Sequence, residues 1–280
     1  GSILIQGRAV VPAPGAVAPP LHDHELHQLL LREVSTSPAN RLIYPEISQP
    51  VHLCGSVKGA LFSAVLAINF AREFVARGDC VLLIDANLES PEIAQQLSIH
   101  EIRSRMVTTE FGFDVTEIDS LQYLSELAEG SLSYDRIIID CGDLKLTPFL
   151  HSGKRFHDVL SSWILRSADS LHLVSDGSKD GINRISAIAH ILPTITKLTH
   201  LDHSIFSWQR RSPRQSEKVV RDAQDELRLP TFLYSYDYRK LFSQNSEGAP
   251  AHALAPLTSP PRIIKEHIER IEEAVNSTSH

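Results

Sequence analysis

Residues 51–85 read VHLCGSVKGALFSAVLAINFAREFVARGDCVLLID, and this stretch decides the fold. Its two ends, VHLCG (51–55) and CVLLID (80–85), are nearly continuous apolar runs, which is typical of strands buried on both faces of a parallel sheet. Between them, residues 60–76 have the length and the apolar spacing of a buried helix. A strand, a helix and a second strand in this order predict an α/β protein.

The same alternation continues to the end of the chain. Further strand candidates are residues 136–140, 171–175, 203–208 and 231–236. Further helical stretches are residues 91–98, 119–129, about 155–167, 180–192, 214–227 and 261–275. This repetition predicts a doubly wound, mainly parallel sheet with helices on both faces. Ligands of such sheets bind at the carboxyl ends of the strands.

The N-terminal region differs in composition from the rest. Residues 1–20 are rich in Pro, Gly and Ala and are typical of a flexible arm. Residues 21–34 carry leucines at helical spacing, which predicts a short amphipathic helix. We therefore divide the chain into an arm, 1–48, and a single α/β domain, 49–280. With 280 residues, 42% of them hydrophobic, the chain has enough material for one large core.

Charge and cysteine content exclude several classes of protein. The chain has 27 Lys and Arg against 34 Asp and Glu, a net charge of -7, without a long basic run, so nothing indicates general DNA binding. Its three cysteines, Cys54, Cys80 and Cys141, have no CxxC spacing and indicate reduced thiols in a cytoplasmic protein. No apolar run is long enough to span a membrane.

A metal site is not expected from the sequence. His22, His24 and His27 form an HxHxxH pattern on the predicted N-terminal helix. Because no fourth ligand is apparent nearby, we interpret them as part of a solvated polar face.

Three sequence motifs follow one another along the body of the chain. VLLIDANLESP ends a strand with Asp85, YDRIIIDCGD ends another with Asp140, and ADSLHLVSDGSKDGINRI follows as strand, polar loop and helix. Together with the ending SYDYRKLFSQNSEGAPAHALAPLTSPPRIIKEHIERI, this order resembles the deviant-Walker P-loop ATPases. That family includes MinD, ParA, the TadZ/CpaE proteins and bacterial tyrosine autokinases. The resemblance covers roughly residues 50–275.

In that family the first loop reads KGGxGK[ST]. Its backbone N–H groups and the following helix N-terminus bind phosphates, its second lysine neutralises their charge, and its Ser/Thr hydroxyl ligates magnesium. Asn69 in AINFA is similar to the Asn of the family's AxNLA helix and sets the alignment. The alignment places Lys58 and Gly59 on the first Lys and Gly, Phe62 on the last Gly, Ser63 on the second Lys and Ala64 on the Ser/Thr.

These replacements remove what the loop needs. Phe62 brings a large side chain where glycine allows close approach of the backbone to phosphate. Ser63 removes the cation, and Ala64 removes the metal ligand. We therefore expect a degenerate loop, no catalytic residue, no ATP or magnesium cofactor and no enzyme activity. The vestigial nucleotide-binding positions are Lys58, Gly59, Ser63, Asp85 and Asp140. The alternatives are that Lys58 is a surface lysine and that each aspartate caps its strand.

The resemblance implies a function in localisation. We expect a cytoplasmic pseudo-ATPase that acts as a scaffold or regulatory subunit of a membrane-bound bacterial assembly, such as pilus, secretion or polysaccharide-export machinery in a biofilm. It would be peripheral to the inner membrane through its partners. One alternative is an active, atypical ATPase that binds ATP and Mg²⁺ through Lys58, Asp85 and Asp140. Another is a DNA-associated partition protein, which the net charge of -7 disfavours.

The resemblance also implies a homodimer, since working members of the family associate around the first loop. Leu61 and Phe62 would lie on an exposed rim and be buried against a second copy. The alternative is that both side chains fold inward, fill the nucleotide pocket and leave a monomer.

Overall fold

The structure is a computed structural model. It describes residues 4–5, 8–9, 47–57, 62–100, 102–130, 133–144, 156–196, 198–207, 213–235 and 261–278.

Strands and helices alternate through the body of the chain. The strands are β1 (Leu4–Ile5), β2 (Arg8–Ala9), β3 (Val51–Ser56), β4 (Val81–Asp85), β5 (Val107–Thr108), β6 (Asp114–Glu117), β7 (Arg136–Asp143), β8 (Ser170–Ser175), β9 (His200–Ser207) and β10 (Thr231–Ser235). The helices are α1 (Ser63–Arg77), α2 (Ile93–Gln96), α3 (Leu121–Gly130), α4 (Phe156–Ser167), α5 (Lys179–Ile195), α6 (Pro213–Leu227) and α7 (Pro261–Thr278).

Eight of the strands form one sheet in the order β10-β9-β8-β3-β7-β4-β6-β5. Every neighbouring pair is parallel except β5 and β6. β3 lies in the middle, bonded to β7 on one side and to β8 on the other. The predicted doubly wound, mainly parallel sheet is therefore confirmed.

Helices cover both faces of this sheet. One hydrophobic cluster, the α1 face, contains side chains of α1, α2 and α7. The other, the α4 face, contains side chains of α3, α4, α5 and α6. All residues of β3, β4 and β8 are buried, because alternate side chains point to opposite faces and each face is covered. This double burial is why the strands are nearly continuous apolar runs.

Helix α1 is the most deeply buried helix of the α1 face. Residues 63–71 are all buried, so it is apolar around most of its circumference. The side-chain amide of Asn69 donates a hydrogen bond to the backbone carbonyl of Val65 in the same helix, at 2.8 Å. The helix ends at Gly78, whose φ of 99° is left-handed and lets its N–H reach the carbonyls of Phe74 and Val75.

Two strands at the edge of the sheet beyond β4 were not predicted from the sequence. β5 and β6 are two and four residues long and carry no long apolar run, so the strand pattern did not reveal them. β9 also begins earlier than predicted, at His200. β7 continues past Asp140 to Asp143, so Asp140 lies within the strand rather than at its end.

The N-terminal arm is described only in part. Leu4 pairs with Ala9 and Ile5 with Arg8 in an antiparallel hairpin that the sequence did not predict. The predicted helix 21–34 and the HxHxxH pattern lie outside the described residues. The division into an arm, 1–48, and a domain, 49–280, stays a prediction.

The continuation of β7 depends on Gly142. Its φ is 60°, and a Cβ built there would lie 2.3 Å from Cγ of Asn87. The side-chain amide of Asn87 donates a hydrogen bond to the carbonyl of Ser90 at 2.6 Å, and this bond stabilises the loop after β4. Glycine is therefore required at position 142 both by conformation and by space.

We predict that Gly142→Ala destabilises the domain by at least about 2 kcal/mol, from the left-handed conformation plus the overlap with Asn87. Urea unfolding measures the effect. Gly130→Ala is the matched control, because a Cβ there meets no atom within 4 Å at the end of α3. It should be neutral or stabilising by up to about 1 kcal/mol. Equal midpoints for the two variants would contradict the close approach of β7 to the β4 loop.

Candidate functional site

The candidate site lies at the carboxyl ends of the central strands. The chain winds to one side of β3 to reach β4 and to the other side to reach β8, and such reversals are where α/β sheets bind ligands. Asp85 of β4 and Asp140 of β7 are direct neighbours in the sheet. Ser63 is the first residue of α1 and interacts with Asp140. The structure thus brings three of the predicted residues together.

Asp85 is fully buried and is bonded to the loop that follows it. Its Oδ1 accepts from the N–H of Asn87 at 3.1 Å. Its Oδ2 accepts from the N–H groups of Glu92 and Ile93, both at 3.0 Å. These bonds fix the chain between β4 and α2. The carboxyl group therefore has a structural role in capping the end of its strand.

Asp140 is equally buried but has fewer partners. Its Oδ1 accepts from the N–H of Gly142 at 3.1 Å, and its Oδ2 has no hydrogen-bond partner among the described residues. Burial raises the pKa of Asp140, which the hydroxyl of Ser63 and the N–H of Gly142 oppose. Burial and the charge of Asp140 raise the pKa of Asp85, which the N–H groups of Ile93 and Asn87 oppose.

The electrostatic character of the site follows from these shifts. Burial and neighbouring acids raise the pKa values of both aspartates, and hydrogen bonds oppose this rise. Burial favours the neutral form of a carboxyl group. A further negative group beside the pair would therefore be unfavourable.

Phe62 packs into the domain and not on its surface. Only 4% of its surface is exposed. Its ring stacks on Phe206 at 4.9 Å, and Phe206 stacks on Tyr234 at 4.8 Å. We call these three rings the aromatic column. The φ of Phe62 is -111°, an ordinary value for a residue with a side chain, so the loop needs no glycine at this position.

This burial corrects one premise of the predicted dimer interface. Phe62 does not form an exposed apolar rim, because the aromatic column of the same chain already covers it. Leu61, Lys58 and Gly59 lie outside the described residues, so their roles stay predictions. Ala64 is buried at 1% exposure in the first turn of α1.

Sequence reasoning found the two aspartates and missed the other parts of the site. Phe206 and Tyr234 alternate inward along β9 and β10, a signal present in HSIFSW and TFLYSY. Asn87 and Gly142 act through one close contact between the loop after β4 and the end of β7, which only the fold can show.

The sheet order and the buried helix after β3 define a P-loop NTPase-like α/β fold. The chain shares this fold with MinD and ParA ATPases. MinD of Pyrococcus furiosus is 16% identical, with a TM-score of 0.56 over 80% of this chain and 98% of that one. MinD in a MinC:MinD cell division complex of Aquifex aeolicus is 17% identical, with a TM-score of 0.57 over 80% of this chain and 96% of that one. The pNOB8 ParA bound to nonspecific DNA is also 17% identical, with a TM-score of 0.53 over 80% of this chain and 99% of that one. No protein-family model and no curated protein matches the sequence.

The acid pair should make stability depend on pH in a defined direction. A raised native pKa means that the native state keeps its proton after the unfolded chain has lost it. Stability is therefore lost as pH rises from about 4, the ordinary aspartate pKa, through the raised native value. Asp140→Asn removes this loss and should be more stable than the unsubstituted protein by about 1 kcal/mol at neutral pH, with the difference vanishing near pH 4.

Urea unfolding between acid and neutral pH measures this difference. Asp143→Asn is the control, because Asp143 is an exposed acid on the same strand and its substitution should not alter the pH profile. A neutral-pH loss of stability in Asp140→Asn would contradict the interpretation and indicate that the ionised carboxylate has a cationic partner.

Proposed function

We propose that this chain is a pseudo-ATPase with the MinD/ParA fold, acting as a scaffold or localisation subunit of a membrane-bound bacterial assembly. One observation carries the proposal. At the start of α1, where the family's loop has Gly and Lys, Phe62 is buried in the aromatic column and Ser63 faces Asp140.

Phosphate binding at a helix N-terminus needs open backbone N–H groups and a favourable charge. Here the first turn of α1 is buried, and the acids beside it have raised pKa values because of burial. A triphosphate would add negative charge next to them without the lysine that offsets it in working relatives. This arrangement supports loss of nucleotide binding over an atypical active site built on Asp85 and Asp140.

The partner side of the proposal rests on the fold and on charge. One structurally similar protein, the MinD of Aquifex aeolicus, is in complex with MinC, a second protein. Another, pNOB8 ParA, is bound to nonspecific DNA. The net charge of -7 favours a protein partner over DNA for this chain. None of the helices that the structure describes combines the length and the apolar character needed to cross a membrane. The proposal places the protein at the membrane surface through its partners.

Isothermal titration with ATP and with ADP, each with Mg²⁺, tests the loss of nucleotide binding. We expect no saturable heat, because the loop lacks the cation and the metal ligand. A MinD ATPase measured in the same buffer is the positive control. A micromolar dissociation constant, about -8 kcal/mol, would instead favour the active, atypical ATPase, and Asp85→Ala would then show whether the acid pair holds the magnesium.

Homodimerisation without nucleotide is the second expectation of the proposal. A scaffold that keeps the family's dimer surface should scatter light as twice its 31.1 kDa mass, with or without ATP and Mg²⁺. A mass of one chain at micromolar concentration would contradict this expectation. A dimer formed only with ATP would support the active ATPase. Substitution of Phe62 is unsuitable as an interface probe, since its ring is buried.

A further inference from the structure

A buried cluster of histidines surrounds one carboxylate on the other side of β3 from the acid pair. Asp202 Oδ2 lies 2.8 Å from His172 Nδ1, 2.8 Å from His200 Nε2 and 2.7 Å from His267 Nε2. His172, Asp202 and His267 are fully buried, and His200 is 7% exposed. We call these four residues the histidine cluster.

The fold explains why four residues so distant in sequence meet. His172 is the direct neighbour of Asp202 in the β8–β9 pair, and His200 lies two residues before Asp202 on the same side of β9. His267 comes from α7, which packs on that side, the α1 face. In the sheet register Asp140 pairs with Cys54, Cys54 with His172 and His172 with Asp202. The cluster therefore lies in the same row as the acid pair but on the other side of β3. The two sites are therefore separate.

We propose that the histidine cluster binds a zinc ion. Three imidazole nitrogens and one carboxylate oxygen are a donor set that zinc takes in tetrahedral geometry. The ligand atoms of His172, His200 and Asp202 lie within 4.8 Å of one another. Bond lengths of about 2.0–2.2 Å place tetrahedral donors about 3.3 Å apart, so each distance from a histidine nitrogen to Asp202 Oδ2 needs to lengthen by roughly half an ångström. His267 is outside this set of three mutually close donors, so its ring needs to move closer to them to become the fourth ligand.

A second observation concerns the other carboxylate oxygen. Asp202 Oδ1 is buried and has no hydrogen-bond partner among the described residues. Buried polar atoms are almost always satisfied, and a carboxylate oxygen without a donor is costly. A cation bound to this carboxylate would lower the cost of burying its charge, because it places a positive charge directly beside it.

The surroundings of the cluster suit metal-bound imidazoles. A zinc-bound histidine donates the N–H of its other nitrogen to a neighbouring acceptor. Ser170 Oγ lies 3.0 Å from His172 Nε2, and the hydroxyl of Tyr234 lies 2.7 Å from His267 Nδ1. Hydroxyl groups can accept these protons. Ser170 can then donate its own proton to His52 Nδ1, at 2.7 Å.

Four protein ligands and full burial make this a closed, structural site. It joins α7 to β8 and β9, so the ion would connect the last helix to the centre of the sheet. Because the ligands have almost no exposed surface, zinc enters as the chain folds, and its binding free energy adds to the stability of the domain. The inference does not depend on whether the protein binds ATP.

Elemental analysis of the full chain, purified without chelators, tests the site directly. We expect one tightly held zinc per chain that survives dialysis. After unfolding with a chelator, refolding with zinc should restore both the zinc and the melting temperature, and refolding without zinc should leave the protein less stable. A zinc-free protein whose melting temperature is the same after refolding with or without zinc would overturn the proposal.

Variants locate the metal. His200→Gln and Asp202→Asn should lower the zinc content at least about tenfold. Replacing a residue that only hydrogen-bonds to a metal ligand already lowers metal affinity by about that factor, and these two residues are ligands themselves. His203→Gln is the matched control: His203 is the next buried histidine of β9, and it bonds Ser175 at 2.8 Å on the opposite face. It should keep its zinc. Replacing His22, His24 and His27 with glutamine should also leave zinc bound, and zinc lost in that variant instead would overturn the assignment.

Cobalt substitution gives a measurement that needs no ligand variant. The unsubstituted protein refolded with Co²⁺ should show the strong visible absorption of a four-coordinate ion. The weak spectrum of six-coordinate cobalt would contradict the closed site, even if His200→Gln and Asp202→Asn fail to fold.

Discussion

The structure depends on one constraint: the central strands of the sheet are bonded to neighbours on both sides and covered by helices on both faces. β3, between β7 and β8, has no exposed residue. Each polar side chain placed on these strands must therefore find a partner inside the protein. Such partners are what distinguish the two polar regions of the domain, the acid pair on β4 and β7 and the histidine cluster on β8, β9 and α7.

The two regions meet this constraint differently. At the acid pair, backbone N–H groups of the following loop bind Asp85, and Asp140 has one oxygen without a partner among the described residues, with a pKa raised by burial. At the histidine cluster, three imidazole nitrogens lie within hydrogen-bond distance of Asp202 Oδ2. Asp85 is therefore bonded by the adjacent loop, whereas Asp202 is bonded by side chains that distant elements bring together.

The sequence was sufficient for the fold because double burial produces a recognisable pattern. Strands such as CVLLID and RIIID are apolar throughout, and helices of ordinary length separate them. β5 and β6 were not predictable in this way, because they are short and lie at the edge. In the site, Asp85 and Asp140 were visible as acids ending apolar runs. The histidine cluster was not recognised, although His52, His172, His200 and Asp202 are polar interruptions in buried strands, because its shape requires the sheet register and α7 together.

The position of Phe62 is compatible with the proposed loss of nucleotide binding, because its ring contributes to the packing at the start of α1. In a working loop, magnesium offsets the charge of the acids, and the phosphates fill the space at the start of the helix. Here the aromatic column fills space next to that helix start, and backbone N–H groups bind Asp85. Burial of Phe62 stabilises the start of α1 in the absence of a ligand, by about 1.5–3 kcal/mol for a fully buried ring of this kind. Under the proposed loss of nucleotide binding, the same burial would oppose phosphate at this helix start, since the ring would have to leave the aromatic column.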